Sequence, residues 1–397
     1  MKTTRIFKLL PVLACAVALA FVTGCEGPMG PAGADGTNGT DGTNGTNGSD
    51  GTAGVDGNVT CLACHQDGAI QDIKEQFSQS VHSSGQVAVD YAGGRSSCAS
   101  CHSSEGFLEF ANTGDVAENI SAPSAWECKT CHAIHETFAE TDYSAILRLT
   151  DPVTFLNGSA VTVDFGNSNL CANCHQTRRA DPADMGGQFV DANGVDDDGP
   201  GGVGDDNEYE VPAGKFYITS THYGPHHGPH ANVLQGEGFA EIVGTVAYPT
   251  AGSADHAADG GRCVGCHMAT YGNGQGGHTW NPAIDACNAC HNVTETDFDY
   301  GGVRTEVAGL LDDLRDKLVA EGVVEQAVES IYELNETTGV IELVVTQGEY
   351  HPIVGEYTVL QAQAFFNWIG LEEDRSLGAH NPKYIKALLK NTIEALP

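Results

Sequence analysis

Six times the chain reads Cys-x-x-Cys-His. The pairs are Cys61/Cys64 with His65, Cys98/Cys101 with His102, Cys128/Cys131 with His132, Cys171/Cys174 with His175, Cys263/Cys266 with His267, and Cys287/Cys290 with His291. Two thiols at i and i+3 can bond the two vinyl groups on one edge of a porphyrin, and the next residue then lies under the iron. The pattern therefore predicts six covalent c-type haems, with the six motif histidines as proximal iron ligands. Zinc ribbons do not need a histidine after every pair, and a thioredoxin-like chain carries one pair rather than six. Of the 14 cysteines only Cys15 and Cys25 lie outside the motifs, so no cysteine of the domain is left for a disulfide.

Six low-spin irons call for up to six ligands on the opposite face. Ten histidines lie outside the motifs: His82, His135, His222, His226, His227, His230, His256, His278, His351 and His380. Methionine can substitute, but the domain holds only Met185 and Met268. His135 follows His132 by three residues, cannot reach the far face of the same iron, and suits a neighbouring haem. His82 stands between the first two motifs. His222, His226, His227 and His230 crowd nine residues with two Gly-Pro turns; spacing does not say which one or two are ligands, and a divalent metal clamp is the alternative. His278 follows the fifth motif closely. His380 precedes Asn381-Pro382, a good N-cap and N1 pair that opens a helix and so fixes the imidazole's direction. No catalytic residue is assigned.

A separate cluster could hold calcium. The stretch from Asp191 through Asn193, Asp196 and Asp198 offers hard oxygen ligands without basic partners. It departs from the EF-hand template at Val195, and a solvated acidic loop is the equal alternative.

The elements that must position these residues are short. The motifs begin at 61, 98, 128, 171, 263 and 287, with 92 residues between the starts of the fourth and fifth. The region is rich in Gly, Ser, Asn and Asp. It reads as mostly irregular chain with short α-helices around a stacked haem core, the porphyrins supplying the buried apolar surface. Residues 153–165 suggest a hairpin about Asn157-Gly158, and 331–345 another about Thr338-Gly339. Val303, Val307, Leu310, Leu311, Leu314 and Leu318 make an amphipathic helix stopped near Gly322. Residues 357–370 and the stretch after Pro382 also read as helices. The domains expected are a signal at 1–24, a spacer at 25–58, a hexahaem domain at 59–300 with its acidic insertion near 190–210, and a mainly helical region at 301–397 packing on the last haems.

The N-terminus addresses the chain for export. Lys2, Arg5 and Lys8 precede an apolar run from Leu9 to Val22, too short and wrongly flanked for a stable span. Val22-Thr23-Gly24-Cys25 resembles the lipobox of bacterial lipoproteins, which implies cleavage before Cys25 and lipidation of its thiol; ordinary cleavage leaving a thiol is the alternative. Gly then recurs every third residue from Gly27 to Gly57, a collagen-like period. Proline is sparse there, so a flexible polar spacer is favoured over a trimerising triple helix. The formal net charge of −35 argues against nucleic acid and anionic lipid as electrostatic partners.

Taken together, the chain resembles the exported multihaem c-type cytochromes of metal-respiring bacteria, some lipid-anchored at the outer surface and some polymerised into conducting filaments. The resemblance covers about 60–397 and rests on the six motifs and on longer matches. These are Cys128-Lys-Thr-Cys131-His132-Ala-Ile-His135, Asn169-Leu-Cys171-Ala-Asn-Cys174-His175-Gln-Thr-Arg178, His222-Tyr-Gly-Pro-His226, Cys263-Val-Gly-Cys266-His267-Met268 with His278, and Gly378-Ala-His380-Asn-Pro-Lys-Tyr384. It implies distal ligation by His135, His278 and His380, and favours His222 and His226 over His227 and His230. The implied function is electron relay at the cell exterior towards metal oxides, soluble metal complexes or other cytochromes, from a lipid anchor in the outer membrane on its outer or periplasmic face. Two other readings stand beside it. One is a multihaem reductase of a nitrogen or sulfur oxyanion, whose tail this chain also resembles but whose Cys-x-x-Cys-Lys motif it lacks. The other is a filament or trimer subunit.

Overall fold

The computed structural model describes residues 68–134, 146–185, 188–190, 209–258, 261–270, 275–291, 297–335 and 340–397, all within one unit, Asp56–Pro397. The leader, Cys25, the glycine spacer, the first motif (Cys61, Cys64, His65), His135 and the acidic run holding Asp191, Asn193, Asp196 and Asp198 lie outside the described residues.

Each described motif sits on a short helix: Ser96–His102, Cys128–Cys131, Asn169–Ala172 with the turn that follows it, Arg262–His267 and Ile284–His291. Local chemistry ends them early. Ser103, in extended conformation, closes the first and opens the next helix, Ser104–Thr113, by accepting the Gly106 N–H at 3.1 Å. A Cβ on Gly106 would overlap Ala99, so glycine lets these two helices touch. Glu127 and Thr130 form a capping box around Cys128–Cys131, and His132 leaves that turn already extended.

Between the helices runs irregular chain, and irregular backbone must still satisfy its N–H and C=O groups. Buried asparagines do this. Asn169 accepts the Phe165 N–H at 2.7 Å and donates to Thr150 O at 2.9 Å. Asn232 accepts the Thr177 N–H at 2.8 Å. Asn367 accepts the Ala240 N–H at 2.9 Å, while its amide donates to Ala240 O at 2.8 Å and Thr392 Oγ1 at 3.0 Å. These side chains replace the ladder that a sheet would provide.

The sheets are small and two-stranded. Val153–Thr154 pairs with Thr162–Val163 about a turn in which Gly158 has φ +82°, as the hairpin reading expected. Val324–Asn335 pairs with Val340–Pro352 from Val324 opposite Pro352 to Asn335 opposite Val340, a longer hairpin than expected; its turn lies outside the described residues. Gly355–Thr358 pairs with Lys215–Ile218 and so joins the long insertion to the C-terminal region.

The aliphatic core is concentrated in that region. Helices Val303–Ala320, Val359–Asp374 and Pro382–Ala395 bring together Leu311, Leu314, Leu318, Phe365, Phe366, Ile385, Leu388 and Leu389. Phe216, Ile218, Tyr223 and Phe239 from the insertion complete it. The first helix ends at Gly322 (φ +68°), and the last is capped by Asn381 Oδ1 accepting the Tyr384 N–H at 3.2 Å. Thus 301–397 does not merely lie on the motif region; it carries its own core. Among the described residues, no helix is long and apolar enough to cross a membrane.

Candidate metal centres

One motif histidine after another faces a histidine from a distant part of the chain. The ring centroids of His102 and His226 are 5.8 Å apart, those of His132 and His278 6.2 Å, and those of His175 and His82 6.1 Å. His267 and His380 are 6.3 Å apart, and His291 and His256 5.9 Å. Two imidazoles on opposite sides of one metal, with metal–nitrogen bonds of about 2.0 Å, put their ring centroids roughly 6 Å apart. All five described motif histidines meet that spacing.

In four of these histidines the ring nitrogens are oriented as a ligand requires. A carbonyl oxygen only accepts, so a ring nitrogen facing one must carry the proton and leave the other nitrogen's lone pair for a metal. His267 Nδ1 donates to Trp280 O at 2.8 Å, His256 Nδ1 to Ala379 O at 2.5 Å and His226 Nδ1 to His227 O at 3.2 Å. His380 Nδ1 donates to the Asp374 carboxylate at 2.6 Å. His102 departs from this pattern: its Nδ1 is buried without a partner.

His175 stands at the centre of the array. Its Nδ1 lies 3.1 Å from His230 Nδ1, so one ring donates and the other accepts. His230 therefore orients His175, and a direct contact of that length leaves no room for a metal between those two atoms. Gly228 (φ +75°) lets the chain pass over the pair, since a Cβ there would lie 3.2 Å from His175 Nδ1. Burial, then the surrounding imidazoles of His230, His82, His267 and His380, hold His175 well below the ordinary imidazole range. It is kept neutral, the form with a lone pair to give.

The motif cysteines also touch across motifs. The Cys101 thiol interacts with Cys174, which pulls it down to about 7 and pushes Cys174 up. Cys263 is drawn to about 7 by Cys171. Burial and the Cys128 thiol raise Cys131 to about 11. The second, fourth and fifth motifs are thereby immediate neighbours. The sixth joins them through Cys266, whose thiol is raised by burial and then by the nearby thiols of Cys287 and Cys290.

The motif cysteines differ in depth. Cys290 is exposed, and so is Cys128, whereas the other described motif cysteines are half-buried. For Cys290 the reason is its place in the chain. It sits one residue before the end of helix Ile284–His291, and the helix is anchored at its other end, beside the buried Ala283. Cys287, one turn earlier, is already half-buried.

The setting of the array fits a large planar cofactor. Among the described residues no group of three or more His, Cys, Asp or Glu side chains is placed to hold a bare metal ion; the histidines come in twos at 5.8–6.3 Å, the spacing that two imidazoles sharing a haem iron would need. Apolar side chains near the motifs are also left uncovered: Val81, Val87 and Tyr91 are 81%, 83% and 71% exposed. Between 261 and 291, Ala283 is the buried hydrophobic among the described residues.

Of the distal candidates, His82, His226, His278 and His380 are brought opposite motif histidines. His222 is not placed opposite any described motif histidine: it lies 6.4 Å from His351, another histidine outside the motifs. His227 instead binds Glu373 at 2.8 Å. The sequence reading singled out neither His256 nor Trp280. His256 sits on the turn Asp255–Ala257 and meets His291; no local spacing points to it, and counting six required ligands was the available signal. Trp280 packs its ring on His82 at 4.8 Å and His278 at 5.6 Å while its carbonyl takes the His267 proton.

No family profile and no curated protein matches the chain. Among solved structures it is similar to the outer cell wall cytochrome OcwA, with 16% identity and a TM-score of 0.46 over 82% of this chain and 50% of that one. The chain thus spans about half the length of that structure.

Proposed function

We propose that this chain is an electron-transfer multihaem c-type cytochrome with six covalent haems, working outside the cytoplasm. The observation that supports it is the set of five opposed histidine pairs, each joining a Cys-x-x-Cys-His motif to a distant imidazole at 5.8–6.3 Å. In this reading the iron ligand pairs are His102 with His226, His132 with His278, His175 with His82, His267 with His380 and His291 with His256. His65 and His135 are the candidates for the remaining haem chemistry at the first motif and its neighbours. Each haem supplies an iron that gains and loses one electron reversibly.

At the five described motifs the chain's own histidines would hold the iron from both sides, which favours electron relay over oxyanion reduction. The signal, the Cys25 lipobox and the glycine spacer support a lipid-tethered place at the cell surface. The spacer would reach roughly 100 Å if extended at about 3.1 Å per residue. Partners would be other redox proteins or extracellular metal acceptors.

The test is haem stoichiometry by pyridine haemochrome together with intact mass. The reading expects six covalent haems per chain. Zinc or disulfides in place of haem would overturn it.

A further inference from the structure

Apart from His175, which His230 orients, four of the described candidate ligands have an oxygen partner at Nδ1 that fixes their orientation. Three of the partners are neutral carbonyls: Trp280 for His267, Ala379 for His256 and His227 for His226. The fourth is a carboxylate. Asp374 is 2% exposed, and its Oδ1 accepts the His380 Nδ1–H at 2.6 Å. Its Oδ2 accepts the Ser376 hydroxyl, whose oxygen in turn takes the His380 backbone N–H at 3.4 Å. With both oxygens accepting, the group sits there as the anion.

This placement is costly on general grounds. Asp374 is the last residue of helix Val359–Asp374, where the helix dipole disfavours negative charge, and a buried carboxylate is expensive unless it is paired. Neither the helix nor the core needs a charge at this point. The partner that explains it is His380, which stands 6.3 Å from His267 and 5.4 Å from His230 by ring centroid.

We propose that Asp374 is a positioning and tuning residue for the fifth motif's centre, setting its reduction potential below that of the carbonyl-supported centres. A carboxylate that takes the Nδ1 proton makes the imidazole a stronger donor at Nε2, and a stronger donor stabilises the oxidised metal. The inference rests on the haem reading above.

The test is Asp374→Asn in the full-length holoprotein, followed by spectroelectrochemical titration with haem counting. Asparagine can still accept the Nδ1–H through its carbonyl, so the variant removes the charge and retains the orientation. The expected result is an upward shift of one of six redox components, with haem content and low-spin spectra unchanged. Asp374→Glu should restore part of the shift. Six haems with every component in place would overturn the role of Asp374 while leaving the cytochrome reading standing; a new high-spin signal in Asp374→Asn would also overturn it, because Asp374 would then merely hold His380 in place. A parent protein without covalent haem would overturn the cytochrome reading itself.

Discussion

The two halves of this molecule solve the problem of burial differently. Helices Val303–Ala320, Val359–Asp374 and Pro382–Ala395 do it with aliphatic and aromatic side chains, so Leu314, Phe365, Leu388 and Leu389 are fully buried. Around the motifs the packing centres are imidazoles, Trp280 and buried asparagines, and valines at 81 and 87 stay exposed. The first region can stand on ordinary hydrophobic burial. The second has the turns and hydrogen bonds of a fold and a smaller apolar cluster of Val153, Phe155, Val163, Phe165 and Leu234 beside the fourth motif, to which covalent porphyrins would add apolar volume. The two regions therefore respond to different perturbations.

The largest expected effect comes from withholding haem. Chain made without covalent attachment should lose amide protection over 96–134 and 261–291 while the helices from Val303 onward keep theirs, read by hydrogen exchange; uniform loss or uniform retention would break the distinction. Next is Leu388→Ala, a fully buried core truncation expected to cost about 3 kcal/mol in denaturant unfolding of the C-terminal region, with the haem spectrum unchanged. Asn367→Ala should follow. It leaves the Ala240 N–H and C=O without the partners they have now, costing about 2 kcal/mol, and because Asn367 ties irregular chain to the C-terminal helices it should loosen both regions. Asn381→Ala removes the cap on the last helix and should cost about 1 kcal/mol; since His380 is the preceding residue, a small spectral change should accompany it.

The C-terminal helices were legible in the sequence because their signals are local: Asn381-Pro382 at one start, Gly322 after one end, and apolar residues at helical spacing between. The Cys-x-x-Cys-His motifs were legible for the same reason, since one turn carries all their ligands. The far side of each centre was legible only in part: His82, His226, His278 and His380 stood among the candidates and meet motif histidines, but His256 and the pairing did not show. His256 meets His291 across a loop, and His222 meets His351 rather than a described motif, because these contacts depend on how irregular segments are tied together. Those ties are single buried asparagines such as Asn169, Asn232 and Asn367, which have no period for a sequence pattern to reveal. The depth of each motif was equally hidden: Cys290 and Cys174 occupy the same motif position, yet one is exposed and the other half-buried. His230 illustrates the cost: it shares a crowded loop with His226, yet one orients His175 and the other faces His102.

The central claim is that every motif histidine shares its iron with a second histidine. Electron paramagnetic resonance of the fully oxidised protein, with spins quantified per chain, tests it most directly. The account predicts low-spin ferric signals that account for all six haems, with His256→Ala and His226→Ala each converting one haem to high spin. A high-spin fraction in the parent protein, or a His256→Ala spectrum identical to it, would contradict the account.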